Sequence, residues 1–66
     1  MRISVNGQEK TVTDGLTVTG LIAELGITAG RVAVELDREI VPRAAHASTV
    51  LRESAKVEIV TFVGGG

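Results

Sequence analysis

The chain opens with an alternation of apolar and polar residues over positions 1–5, which predicts a half-buried β-strand. The dipeptide Asn6-Gly7 follows, and both of its residues tolerate the positive φ angles of a two-residue hairpin turn. Residues 8–12 then provide the return strand. Because Glu9 and Lys10 put charge on that strand, we expect it at an edge of the sheet, where charged side chains discourage pairing with other chains.

An amphipathic helix is predicted next, with Thr17 as its N-cap. Four apolar residues at spacings i, i+3, i+4 and i+7 form a single stripe along it: Val18, Leu21, Ile22 and Leu25. Gly20 weakens the helix by about 1 kcal/mol relative to alanine, so packing of the stripe must compensate. Gly26 is placed to end the helix in the left-handed conformation, after which Ile27 can fold back on Ile22.

The second half of the chain returns to β structure. Residues 31–36 alternate between polar and apolar side chains and predict a strand. The pair Asp37-Arg38 is interpreted as a turn. Residues 39–41 then form a short strand that Pro42 ends, because proline has no N–H to donate to a sheet.

Residues 43–54 show no clean period, which indicates a loop with one helical turn, held in place by Val50 and Leu51. The resulting order is strand, strand, helix, strand, short strand, strand. That order predicts an α+β fold in which one helix packs across a single face of a mixed sheet. The final strand is the most apolar, so we place it centrally and beside the first strand.

The final strand is predicted over residues 56–63, which are rich in β-branched side chains and contain no Gly or Pro. Side chains alternate between the two faces of a strand. One face therefore carries Val57, Ile59, Thr61 and Val63, and the other carries Lys56, Glu58, Val60 and Phe62. Because the charged residues must face water, the first set is expected to face the helix, which leaves Val60 and Phe62 pointing outward. Two interpretations stay open: scattered surface apolar residues, which are normal in proteins, and a patch that docks a partner.

The strand leads directly into Gly64-Gly65-Gly66. Glycine has the largest backbone freedom, so these residues predict a flexible arm that ends in a carboxylate. Such an arm could thread a narrow channel in a partner enzyme, where ATP would activate the carboxylate as an acyl-adenylate. The alternative interpretation is a flexible linker or a cloning remnant.

Composition narrows the function classes. The 66 residues fit one domain, carry a net charge of −1 and include one aromatic residue, which disfavours nucleic-acid binding. There is no cysteine and the one histidine is His46, so no cluster has the spacing of a zinc site, and we expect His46 in an exposed or loosely packed loop. No signal peptide or membrane span of about 20 apolar residues is present, so we expect a soluble cytoplasmic protein. The sequence has no acid–base pair with suggestive spacing, no metal cluster and no nucleophile with a base, so we expect that the protein is not itself an enzyme.

Three segments resemble the ThiS family of thiamine-biosynthesis sulfur carriers, which are ubiquitin-like proteins of the β-grasp fold. The resemblance covers essentially the whole chain, and its segments are Ile3 to Gly7, Glu39 to Arg43 and Val57 to Gly66. The closing strand with its glycines is the most specific of the three. The family usually carries Gly-Asp just before that strand, where this chain has Ser54-Ala55, a difference that bears on a turn.

The resemblance implies a body over residues 1–63 and a flexible arm over residues 64–66. A ThiF-like adenylating enzyme would consume ATP to activate the carboxylate of Gly66, a cysteine desulfurase would supply sulfur to form a thiocarboxylate, and a ThiG-like thiazole synthase would accept it. No cofactor would be bound by the chain itself. Gly64 and Gly65 would form the arm, and the residues beside it are candidates for docking by position: Val60, Phe62 and Val63.

The sequence leaves other functions of the carboxyl-terminal glycines open. A terminal Gly-Gly is shared by several ubiquitin-like carriers, so molybdopterin synthesis or conjugation to lysines as a protein modifier are alternatives. A third hypothesis, from a different class, is a stand-alone β-grasp interaction module whose glycines are incidental. The carrier hypotheses require an intact arm, whereas the interaction module does not.

Overall fold

Five strands, one α-helix and one 3₁₀ turn make up the computed structural model, which describes residues 1–28 and 31–62. In chain order they are β1 (Arg2–Val5), β2 (Gln8–Thr11), α1 (Val18–Glu24), β3 (Arg31–Leu36), β4 (Glu39–Val41), the 3₁₀ turn (Arg43–Ala45) and β5 (Lys56–Phe62). Each predicted element is present: β3 and β4 have the predicted bounds, and the bounds of the other strands differ from the prediction by one residue, of which Val63 lies outside the described residues.

The strands form one sheet in the order β2-β1-β5-β3-β4. Strand β5 is central and runs parallel to β1, whereas the β1–β2, β3–β4 and β3–β5 pairs are antiparallel. The predicted central place of the last strand beside the first is therefore confirmed, as is the edge position of the charged strand β2. The end of β5 thus emerges from the middle of the sheet.

Helix α1 begins and ends as the sequence predicts. The Thr17 hydroxyl accepts a hydrogen bond from the Gly20 N–H at 3.0 Å, which is the N-cap. At the other end Gly26 has φ +70°, and the Ile27 N–H donates to the Ile22 carbonyl at 3.2 Å, the arrangement of a Schellman stop. Packing also favours glycine at position 20, because a Cβ on Gly20 would lie 2.7 Å from the Leu16 side chain.

One core lies between α1 and the sheet. Its most deeply buried side chains come from the helix, from three strands and from the long loop: Ile3, Val18, Leu21, Val34, Leu51 and Val57. Burying a side chain of this size contributes about 1.5–3 kcal/mol relative to leaving it in water. Because the helix covers one face only, the opposite face of the sheet, here called the outer face, is left to solvent.

Two predictions for the loop after β4 are wrong. His46 is 8% exposed rather than solvent-exposed, because its ring Nε2 lies 3.1 Å from the Val41 carbonyl oxygen and its own carbonyl accepts the Thr19 N–H at 3.1 Å. His46 therefore joins the end of β4 to the start of α1. Leu51 holds the loop to the core as predicted, but the side chain of Val50 is exposed, and Val50 contributes only a backbone bridge to Thr17.

Candidate functional site

The two faces of strand β5 differ in burial. Val57 and Ile59 are buried at 0% and 7% exposure, whereas Val60 and Phe62 are 54% and 52% exposed. The predicted outward orientation of Val60 and Phe62 is therefore confirmed, and their role in docking stays a prediction. Thr61 shares a face with Ile59 by the period of two, yet it is exposed, because the strand has by then run past the core.

Strand β3 extends the outer face beside these residues. Ala33 lies directly opposite Val60, and Arg31 lies directly opposite Phe62. Directly opposed residues in an antiparallel pair share a face of the sheet, so both β3 side chains stand on the outer face. The apolar surface of Val60 is thus continuous with the methyl group of Ala33, and a cation stands next to Phe62.

Strand β4 adds a residue that the sequence reasoning missed. Ile40 lies opposite Glu35 on the outer face and is 76% exposed, the highest value among the exposed large apolar residues of the described chain. It stands diagonal to Ala33. The alternation with buried Val41 next to it could have identified Ile40 as an outward-facing residue. We call the four apolar residues the outer patch: Ala33, Ile40, Val60 and Phe62.

Negative charge borders the outer patch. Glu35 and Glu58 lie directly opposite each other on β3 and β5. Neither glutamate is in the close ion pairs found within residues 1–28 and 31–62, which join Met1 to Asp14 and Arg2 to Glu9. Opposed like charges on a sheet destabilise it slightly.

The first residues of the two hairpin turns hold the beginning of β5 from both sides. Asn6 and Asp37 each have φ +50°. The Asn6 carboxamide accepts the Ile59 N–H at 2.8 Å and donates to the Ile59 carbonyl at 3.2 Å. The Asp37 carboxylate accepts the Lys56 N–H at 2.9 Å, and the Asp37 N–H donates to the Lys56 carbonyl at 2.8 Å. Each turn residue thus forms hydrogen bonds to the backbone of β5 at a position where its own strand has already ended.

The remaining predicted site residues, Val63 and Gly64 to Gly66, lie outside the described residues. Among the described residues, no group of three or more His, Cys, Asp or Glu side chains could hold a metal ion. None of the helices in the described ranges is long and apolar enough to cross a membrane.

Comparison with known proteins places this geometry in a family. The ThiS family model matches residues 3–66, which includes the closing glycines. A thiazole synthase of Paramagnetospirillum magneticum is 41% identical over all 66 residues, but the chain spans only 20% of that protein. The protein ycf40 of Porphyra purpurea, itself uncharacterized, is 33% identical over 64 residues, and the chain covers 90% of it.

A solved structure agrees in fold as well as in sequence. The crystal structure of the thiamine biosynthesis protein ThiS from Geobacter metallireducens superposes with a TM-score of 0.85 at 36% identity, and the match covers 100% of both chains. The predicted β-grasp arrangement, with one helix across a mixed five-stranded sheet, is confirmed by this match. The chain therefore belongs to the ThiS family.

Proposed function

We propose that this chain is a sulfur carrier of thiamine biosynthesis and that the carboxyl group of Gly66 carries the sulfur. The observation that supports the proposal most strongly is the family match through residue 66, since it takes in both the body and the closing glycines. The described body adds a rigid strand that leads to these glycines from the middle of the sheet. In this proposal the chain is a substrate and a tether, and the catalysts are its partners.

Activation is the first step, because a free carboxylate is a poor electrophile. A ThiF-like enzyme would bind ATP, and one oxygen of the Gly66 carboxylate would attack the α-phosphorus. The bond to pyrophosphate breaks, and the product is an acyl-adenylate. Glycines suit the approach to the nucleotide because they have no Cβ and permit close contact of the backbone with a narrow channel.

Sulfur transfer follows on the activated carbonyl. A persulfide formed by a cysteine desulfurase would attack the carbonyl carbon and displace AMP, which gives an acyl disulfide. A thiol then cleaves the sulfur–sulfur bond, is itself oxidised to a disulfide, and leaves a thiocarboxylate on Gly66. The thiocarboxylate is nucleophilic through sulfur and would deliver that atom to thiazole synthase.

Docking would use the outer patch. Its large exposed side chains are Val60 and Phe62 on the central strand β5, which leads to the glycines, and Ile40 on the edge strand β4. Contiguous apolar surface of this kind is typical of interaction sites, and aromatic residues dominate binding energy at such sites. The Glu35–Glu58 pair would favour a partner surface that presents a cationic side chain beside its own apolar residues.

Thiazole synthase is the acceptor we propose. Relatives that carry this name contain a region similar to this chain within a polypeptide about five times longer, of which the chain spans 20%. A protein that holds both regions on one polypeptide would keep donor and acceptor at high effective concentration.

The test is mass spectrometry of the chain after incubation with ATP, a cysteine desulfurase with cysteine, and the ThiF-like enzyme. We expect one oxygen at Gly66 to be replaced by sulfur. Oxidation of Met1 gives nearly the same nominal mass change, so the sulfur must be located on a carboxyl-terminal fragment.

The control for this test is the same chain without Gly65 and Gly66. It should keep its fold and remain unmodified. An unmodified terminus in the intact chain, with an enzyme that is active on another carrier, would overturn the proposal and favour an interaction module.

A further inference from the structure

Strand β5 continues well beyond the end of its neighbour β1. The register of the β1–β5 pair is Ser4 opposite Lys56 and Val5 opposite Val57, after which β1 turns into the hairpin. Strand β5 nevertheless runs on to Phe62, paired there with β3 alone. One side of its second half is therefore without a neighbouring strand.

The direction of the backbone groups along this open side follows from the Asn6 contact. Both the N–H and the carbonyl of Ile59 are bound by the Asn6 carboxamide, so they point away from β3. Residues of an antiparallel strand direct their backbone groups alternately to one side and the other. The N–H and carbonyl of Thr61 therefore also point away from β3, toward the open side.

No described residue fills that side. Within residues 1–28 and 31–62, no hydrogen bond outside the strand ladders involves Thr61, and its side chain is exposed. Among the described residues, the Asn6 carboxamide is the last group of the β1–β2 hairpin that binds the backbone of β5. A donor and an acceptor are thus left in position for one further strand, in line with β1.

We infer that this open side of β5 beyond Asn6 is a strand-addition site, which takes an extended segment of the thiazole synthase that receives the carboxyl end. The identity of the partner rests on the proposed function, whereas the site rests on the backbone geometry. Strand addition uses main-chain hydrogen bonds for affinity and side-chain contacts for specificity. Here the added strand would bond to Thr61 and place alternate apolar side chains beside Val60 and Phe62 on the outer face.

The position of the strand-addition site favours thiazole synthase as the protein that binds there. The site flanks the residues that lead to the carboxyl end, and relatives named thiazole synthase carry a region similar to this chain on one polypeptide, which favours thiazole synthase over the adenylating enzyme. A second copy of this chain is a poor candidate, because its edge strand β2 is charged at Glu9 and Lys10, and its edge strand β4 is short and followed by Pro42.

The test replaces Thr61 with proline. Thr61→Pro removes an N–H that is not used in the β3 ladder, and its ring blocks the approach of a further strand, while proline is tolerated where the N–H faces solvent. We expect the Kd for thiazole synthase to rise about tenfold or more, the effect of losing two hydrogen bonds at an interface.

Thr11→Pro is the matched control. Thr11 lies on the free edge of β2, and its N–H also points away from the sheet, because the neighbouring Val12 N–H is the one that donates to the Met1 carbonyl. This variant should bind thiazole synthase as the parent chain does. Equal affinity of all three proteins would overturn the strand-addition site.

Hydrogen exchange of the unaltered chain gives a second readout that does not depend on a variant. In ¹⁵N-labelled chain mixed with unlabelled thiazole synthase, the Thr61 amide should change from fast to slow exchange. An amide that still exchanges fast in a saturated complex contradicts the inference. The proposed function fails separately, namely when the parent chain acquires no sulfur at Gly66 or does not bind thiazole synthase at all.

Discussion

The two halves of β5 have the same kind of sequence and different surroundings. Residues 56–59 have β1 and the Asn6 side chain on one side and β3 with Asp37 on the other, and their apolar side chains are buried. Residues 60–62 are paired with β3 only, and all three are exposed, including Thr61, which shares the inner face with Val57 and Ile59. One half of the strand is part of the core, and the other half extends beyond it.

This difference shows how a very small domain can combine stability with recognition. A chain of this size buries a modest fraction of its surface, so it needs the buried half of β5 for its core. The exposed half adds little to that core, and its large apolar side chains are free to contact another protein. Mutations in the two halves should therefore have separable effects.

The largest effect is expected at the carboxyl end. A chain without Gly65 and Gly66 should lose all adenylation, measured as ATP-dependent pyrophosphate exchange with the ThiF-like enzyme, because the reacting carboxylate has been moved. Its thermal unfolding should be unchanged, since the described core is built from residues between Ile3 and Ile59. Gly65→Ala tests the same arm with its length preserved, and normal activation of that variant would contradict the need for an arm without Cβ atoms.

The next largest effect is a difference in the free energy of unfolding between variants of the two halves of β5. Val57→Ala should lower the free energy of unfolding by about 2 kcal/mol, because it opens a cavity at a fully buried position. Val60→Ala makes the same chemical change at an exposed position and should alter it by about 0.5 kcal/mol or less. Denaturant titration of both variants measures the difference, and equal losses would mean that the second half of β5 also supports the core.

The affinity for thiazole synthase should depend on the exposed half of β5 rather than on its buried half. Phe62→Ala should weaken the binding of thiazole synthase by about 1–2 kcal/mol, because aromatic residues in an exposed apolar patch commonly dominate an interface. Val60→Ala should weaken it less. Val50→Ala is the matched control, because Val50 is 50% exposed but is not part of the outer patch. Isothermal titration calorimetry would show a similar affinity for Val50→Ala and Phe62→Ala if the outer patch were not the docking surface.

The smallest effect concerns the two turn residues that hold β5. Asn6→Gly keeps a residue that accepts φ +50° but removes both hydrogen bonds to Ile59, at a cost of about 1 kcal/mol. Hydrogen exchange should become faster at Ile59 than at Lys56, because Asn6 binds the Ile59 N–H. Asp37→Gly is its counterpart at the other end of the strand and should affect Lys56 most. A uniform change along β5 in both variants would show that the strand behaves as one unit.

The local pattern of the sequence determined most of the elements. Alternation defined the strands, Asn6-Gly7 defined the first hairpin, and Thr17 with Gly26 defined the ends of the helix, because each signal acts between residues close in the chain. The apolar content of β5 also placed it at the centre of the sheet. The resemblance to a family added the carboxyl-terminal chemistry, which no periodicity contains.

Tertiary structure decided the surroundings of individual side chains. Ile40 joins the outer patch because β3 pairs with both β4 and β5 and lies between them. His46 is buried because its loop closes over Val41 and the start of α1. The contact between Asn6 and Ile59 joins residues 53 positions apart, and with the register of β1 it leaves the backbone of Thr61 open. Burial and hydrogen bonding of this kind depend on which strands become neighbours, and the period of a single segment does not contain that information.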